Sequence, residues 1–338
     1  MNKEYILNFT KNVLAIDSPS GFTKNVTKFL ENEATRLGYI CEYNRKGNLI
    51  VTVKGATNKV IGLTSHVDTL GLMVRSINND GTLRITTVGG PLLPTYDGEY
   101  CKIYTRDNKV YTGTVLSDAP AAHVYKDART MPRDDEHMHI RLDEIVKNKD
   151  DVKKLGIENG DYVAIDPKTI ITDNGFIKSR FLDDKMSTGI LFGLLEHLST
   201  NNITPINTLK LMFSTFEEVG LGSSSIFECD EFIAVDMGCI GLDLSCTEYD
   251  VSICAKDSGG PYDYDITNKF IEIAKKLDLN YAVDIYPYYS SDATAALKGG
   301  NNIKAGLIGP GICASHGMER THYSAVLNTL KLLIEYIK

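Results

Sequence analysis

Leu209-Lys210-Leu211-Met212-Phe213-Ser214-Thr215-Phe216-Glu217-Glu218-Val219-Gly220-Leu221-Gly222 sets an apolar, strand-like run against two adjacent glutamates and a glycine-rich turn. Two carboxylates at the mouth of a buried strand are costly to desolvate unless they are paired or bound to metal. A doublet also suits a division of labour, in which one side chain binds a metal and its neighbour activates water. The glycines that follow let the backbone approach a ligand closely. The plain alternative is the solvated start of a loop.

Outward from this stretch, strand-like and helical patterns alternate. Helical spacing marks residues 184–198, 266–277 and 323–337, and β-type runs cover 209–216, 232–236, 282–285 and 304–307. Upstream lie two amphipathic helical stretches and β-type runs at 39–44, 49–54 and 60–65. Between them, residues 74–170 change texture: short β-type runs at 83–88, 100–105, 109–116 and 162–165 are broken by turn residues, with one helical stretch near 142–155. The expected fold class is α/β: a three-layer α/β/α domain with a mixed sheet, formed by residues 1–74 and 171–338. The β-rich segment, 75–170, is expected as an inserted barrel-like domain.

Composition narrows the function classes. The 338 residues carry 36 basic and 44 acidic side chains, a net charge of −8 with no basic block, so a nucleic-acid partner is not expected. No apolar run approaches the roughly 20 residues that span a bilayer, and the first residues carry charges and amides where a signal peptide needs an unbroken apolar stretch. Seven cysteines without a Cys-x-x-Cys pair fit separate thiols in a reducing compartment. The expectation is a cytoplasmic protein.

Other ionisable clusters fall at the ends of expected strands, where open α/β sheets place their sites. Thr64-Ser65-His66-Val67-Asp68 closes one; His66 and Asp68 can share a face in extended chain, and a carboxylate can fix the tautomer of a metal-binding imidazole. Leu182-Asp183-Asp184-Lys185 opens a helix, where an aspartate could be a cap, yet adjacent carboxylates repel unless a cation lies between them. Asp236 closes another apolar strand, and His316 and His322 lie in Ser315-His316-Gly317-Met318-Glu319-Arg320-Thr321-His322. The donors are nitrogen and oxygen without sulfur, which suits Zn²⁺, Co²⁺ or Mn²⁺. His137 and His139 read as surface residues and His197 as a helix-end cation. His123 could reach an active site, even that of a neighbouring subunit, and Asp292 could line a substrate pocket or open a helix.

The motif series resembles the tetrahedral and glutamyl aminopeptidases, a family of co-catalytic dinuclear metallopeptidases that includes members named cellulase or endoglucanase. His66-Val67-Asp68-Thr69-Leu70-Gly71 is similar to its His-x-Asp-x-x-Gly, Leu182-Asp183-Asp184-Lys185 to its Leu-Asp-Asp-Arg, Glu217-Glu218-Val219-Gly220 to its Glu-Glu-Val-Gly, and Arg320-Thr321-His322 to its Arg-x-His. Lys185 for Arg, and Thr69 where many relatives have Glu, are departures. The resemblance implies two divalent ions per subunit, most simply Zn²⁺, bridged by Asp183 and completed by His66 and Asp236 at one site and Glu218 and His322 at the other. It implies Glu217 as general base, Asp68 orienting His66, and Arg320 as a candidate donor to the oxyanion. His322 is preferred to His316 because it falls in Arg-x-His. The activity implied is hydrolysis of N-terminal residues from peptides, by a homo-oligomer built from dimers, up to a dodecamer, with the insertion mediating assembly. A metal-dependent deacylase or carboxypeptidase on the same scaffold, or a non-catalytic assembly protein, is the alternative.

Overall fold

Strands buried on both faces show runs of apolar residues in place of alternation, and four such strands form the centre of one sheet. A computed structural model describes all 338 residues. Its first half runs α1 (Lys3–Leu14), α2 (Lys24–Arg36), β1 (Ile40–Tyr43), β2 (Leu49–Val53), β3 (Thr57–His66), β4 (Gly71–Ile77), β5 (Leu83–Val88), β6 (Tyr100–Tyr104), β7 (Val110–Ser117), β8 (Met138–Leu142), α3 (Lys149–Lys154) and β9 (Tyr162–Ile165). It continues with β10 (Ile170–Ile171), β11 (Phe176–Ser179), α4 (Leu182–Thr200), β12 (Asn207–Ser214), β13 (Glu231–Val235), β14 (Gly238–Cys239), β15 (Val251–Asp257) and β16 (Gly260–Pro261). The last elements are α5 (Tyr264–Lys276), β17 (Tyr281–Ile285), α6 (Asp292–Lys298), β18 (Lys304–Ile312), β19 (Glu319–His322) and α7 (Tyr323–Tyr336).

Two compact units result: Met1–Asp68 with Lys168–Lys338, and Thr69–Pro167. The larger unit holds a mixed sheet in the order β1-β2-β12-β3-β13-β18-β15-β16, with β17 on β15 and β14 on β18. Its central strands β12, β3, β13 and β18 are parallel neighbours, whereas β2 and β15 join them antiparallel. The carboxyl ends of the four parallel strands therefore share one edge of the sheet. Helices cover both faces. Against one, Ala293 and Ala296 of α6 pack on Phe232, Ala234 and Leu307. On the other, α5 lies so near β18 that a Cβ on Gly306 would sit 2.8 Å from Ile266 Cγ2. Helix α4 is buried along most of its length, as an all-round apolar helix must be. Gly193 lets α1 approach it; a Cβ there would sit 2.7 Å from Ile6 Cγ1. A small sheet, β10-β11-β19, completes the unit.

The smaller unit is a closed six-stranded barrel in the order β4-β5-β8-β7-β6-β9, with β9 pairing back onto β4. Its interior is filled by alternating residues such as Leu72, Val74, Ile85, Ile103, Val115, Ile140 and Val163, all essentially inaccessible. The helix expected over 142–155 shrinks to α3, because Leu142 closes β8 opposite Gly113 and Ile145 stands in solvent. All seven cysteines are free thiols. No helix is long and apolar enough to cross a membrane.

Candidate metal centre

Each parallel strand delivers an ionisable side chain to the carboxyl edge. His66 is the last residue of β3, Asp236 follows β13 directly, and Glu217 and Glu218 occupy a short 3-10 turn after β12. His316 and Glu319 follow β18, while Asp183 and Asp184 open α4, where their backbone departs from helical geometry.

These side chains converge. His66 Nε2 lies 3.0 Å from Asp183 Oδ1 and 3.7 Å from Glu217 Oε2. His316 Nε2 lies 3.7 Å from both Asp183 Oδ2 and Glu218 Oε2. Asp183 thus presents one oxygen to each histidine. Two donor groups could each hold an ion: His66, Asp183 and Glu218, and His66, Asp184 and Asp236; within each, the ligand atoms lie within 4.8 Å of one another.

Charge balance tests whether a cation fits. Burial and mutual repulsion push Asp184, Glu217 and Glu218 well above the usual carboxylate range, and Asp236 up to about 7. Burial also raises Asp183, but the hydrogen bond and charge of His66 outweigh it and hold this carboxyl low. Lys185 gives no full countercharge: burial pushes its amine down to about 7, and it donates 2.7 Å to Ile16 O. Glu218 Oε1 and Asp184 Oδ1 are buried without a hydrogen-bond partner. Unpartnered anionic oxygens in a dry site are what a divalent ion satisfies, and the nitrogen–oxygen donor set fits Zn²⁺, Co²⁺ or Mn²⁺.

The tautomer of His66 points the same way. Its Nδ1 lies 3.0 Å from the backbone carbonyl of Asp68, which can only accept, so Nδ1 carries a proton and Nε2, 3.0 Å from Asp183 Oδ1, is the nitrogen turned to the cluster. Asp68 was expected to orient this ring through its carboxylate, which is instead 3.7 Å from Nδ1. That carboxylate accepts from Glu217 N at 3.1 Å, Glu218 N at 3.2 Å and Ser20 Oγ at 2.5 Å. It holds the glutamate turn, while its own carbonyl holds the histidine.

Two expectations, for His322 and Arg320, are corrected. His322 does not enter the cluster: its Nε2 is 2.9 Å from Asn174 O, its Nδ1 caps α7 by accepting from Ser324 N, and its ring packs against Phe176 and Tyr249. His316 takes the place expected of it. Arg320 is bound to Glu248 through two hydrogen bonds of 2.6 and 2.9 Å and lies over the Phe176 ring, so its guanidinium is engaged outside the cluster. Asp292 is the first residue of α6, buried, accepting from Ser223 N at 2.8 Å and from the Ser214 hydroxyl; it buttresses the strand edge. His123 is exposed in the barrel unit, between β7 and β8. The second aspartate of the Asp183-Asp184 doublet and the His316 and Glu319 pair, three residues apart, are the sequence signals of this part of the cluster.

Fold and donor set together fit a metal-dependent peptidase. The model of the M42 glutamyl aminopeptidases matches residues 47–332, and the chain belongs to that family; it is an aminopeptidase of the M42 group. It is 46% identical over 331 residues to YhfE of Bacillus subtilis (strain 168), a protein with an aminopeptidase name, covering 97% of this chain and 96% of that one. Among solved structures, a TET aminopeptidase from a marine sediment archaeon, Thaumarchaeota archaeon SCGC AB-539-E09, superposes with TM-score 0.89 at 17% identity, over 100% of this chain and 97% of that one. The TET1 peptidase of Pyrococcus horikoshii, described as able to assemble into a tetrahedron or a large octahedral shell, gives TM-score 0.86 at 20% identity, over 98% and 99%. At these identities the likeness to the two structures is one of fold.

Proposed function

We propose that the protein removes N-terminal residues from peptides by hydrolysis at a pair of divalent ions, Zn²⁺ foremost and Co²⁺ or Mn²⁺ as substitutes. His66, Asp183, Glu218, Asp236 and His316 would hold them. The observation that carries this is the surplus of buried carboxylate oxygens, including Glu218 Oε1 without a partner, around two histidines. When bound, such ions supply Lewis acidity and lower the pKa of water at the site to about 7. Asp183, with one oxygen toward each histidine, is the residue placed to be shared.

Glu217 is assigned as general base. It is held by Asp68 through its backbone amide, and burial raises its proton affinity above that of an ordinary carboxylate, the direction a general base needs. The surplus negative charge suits the ammonium of a free peptide N-terminus, which supports exo-cleavage. Assembly into a homo-oligomer, built from dimers up to a dodecamer, is the state to test, and the dodecamer described for PhTET1-12s supports it. His123 is the residue to test for reach across such an interface.

The test compares free-amine and N-acetylated peptides with protein stripped by a chelator and reloaded with Zn²⁺, Co²⁺ or Mn²⁺. Expected is stepwise release of N-terminal residues from the free-amine peptide alone, restored by the ions. Preference for the N-acetylated peptide would assign a deacylase, and release from the other end a carboxypeptidase. A protein that retains no ion and cleaves nothing would be an assembly protein.

A further inference from the structure

Glu319 is buried, faces the cluster, and takes no part in the chemistry above. Its Oε2 accepts from the backbone amide of Asp183 at 3.0 Å, and its Oε1 from the backbone amide of His316 at 3.0 Å. One carboxylate therefore ties together two assigned metal ligands that lie far apart in the chain. Both ligand segments need such a tie. Asp183 lies two residues after Phe181, whose φ is +67°, and His316 itself has φ +64°; both are left-handed conformations that side chains with a Cβ adopt rarely. The segment around His316 is closed at its base by Cys313 and Arg320, whose amides and carbonyls exchange hydrogen bonds of 2.9 and 3.1 Å. Its tip is fixed by Glu319. The small sheet sets the register, since Glu319 pairs with Ser179 of β11, four residues before Asp183. A carboxylate suits the task because it accepts at both oxygens; glutamine would turn an amide N–H toward one backbone N–H, and aspartate is one methylene short.

We infer that Glu319 is a positioning residue for the metal centre, one that sets the spacing of Asp183 and His316 and hence the affinity for the ions they share. This rests on the metal centre proposed above. Partners that orient metal ligands without touching the metal typically contribute 10- to 100-fold in affinity.

The test titrates Co²⁺ into chelator-stripped wild type, Glu319→Gln and Glu319→Ala, alongside thermal melts of the metal-free proteins and steady-state kinetics across a range of Co²⁺ concentrations. Expected for Glu319→Gln is a 10- to 100-fold weaker affinity for at least one ion, with KM kept and kcat recovering as Co²⁺ is raised; Glu319→Ala should be weaker still. If Glu319→Ala does not fold, Glu319→Gln, which keeps the volume and one acceptor, decides. A lowered melting temperature with wild-type Co²⁺ affinity and no recovery by Co²⁺ would reduce Glu319 to a fold residue and overturn the assignment. Wild type that binds no Co²⁺ would overturn the metal centre itself, a result separable from the first because it appears before any substitution.

Discussion

Histidines sit beside carboxylates in both units, but the charges balance differently. In the barrel, His139 Nδ1 lies 2.8 Å from Asp118, which Arg84 also pairs at 2.8 Å; His137 pairs with Asp134 at 2.6 Å, and Arg133 with Asp97 at 2.9 Å. Asp118 and Asp97 each pair with an arginine, and Asp134 with the ring of His137. At the sheet edge of the larger unit, Asp183, Asp184, Glu217, Glu218, Asp236 and Glu319 surround only His66 and His316. Proton affinities follow the balance. Burial raises Asp118, yet His139 and Arg84 outweigh it and hold it below the usual range, whereas burial and repulsion drive Glu217 and Glu218 well above it. A histidine near an acid says little; a buried excess of acids over cations identifies the place for a metal.

The largest expected effect removes chemistry while leaving that excess in place. Glu217→Gln keeps the shape of the side chain and the backbone amide that Asp68 accepts from, but it cannot take a proton. Turnover of a free-amine peptide should fall by about 10²- to 10⁴-fold, with ions bound per chain unchanged when both are measured on one preparation. A fall of less than about tenfold would move the base elsewhere in the cluster.

Next comes a contrast between two histidines six positions apart. His316→Ala should lose Co²⁺ affinity by at least the 10- to 100-fold typical of a disturbed metal shell. His322→Ala should keep its ions and lose stability alone: the helix cap contributes about 1 kcal/mol, or roughly 2–4 °C in Tm for a unit of this size, and the lost ring packing on Phe176 and Tyr249 adds to it. Metal titration and a thermal melt on each variant separate the two, and the reverse pattern would return His322 to the centre.

That contrast also shows where sequence stopped being enough. Apolar runs ending in acids located β3, β12 and β13, and the acids themselves, because a strand buried on both faces leaves an unmistakable stretch of Val, Ile, Leu and Phe. The Arg-x-His motif lies in a short strand that no apolar run announces. In β19, alternation buries Glu319 and Thr321 and turns Arg320 and His322 outward, so Arg-x-His spacing cannot by itself reach the acidic cluster. In the barrel, Leu142, Ile145 and Val152 recur at near-helical intervals, yet they belong to a strand end, an exposed turn and a short helix, a division fixed by pairing with β5 and β7. Asp68 holding the glutamate turn, and Glu319 holding two ligands, rest on backbone amides brought from distant parts of the chain, which no local pattern records.

The smallest expected effect lies in the barrel. Asp118→Asn removes a carboxylate from a partly exposed pairing with His139 and Arg84, and such pairs contribute about 0.2–1 kcal/mol. The sign with pH follows from the direction of its shift: Asp118 is held below its unfolded value of about 3.9. Its contribution is therefore complete above that value and disappears as pH falls through the lower, folded one. Urea unfolding at pH 7 should show a slightly less stable variant, and the gap should close as pH falls below the unfolded value and the wild-type carboxylate protonates. Co²⁺ binding should not change at any pH. Were Asp118→Asn to weaken Co²⁺ binding as His316→Ala is expected to, the barrel's paired charges would belong to the same electrostatic system as the sheet edge, and the distinction between balanced and unbalanced acids would fail.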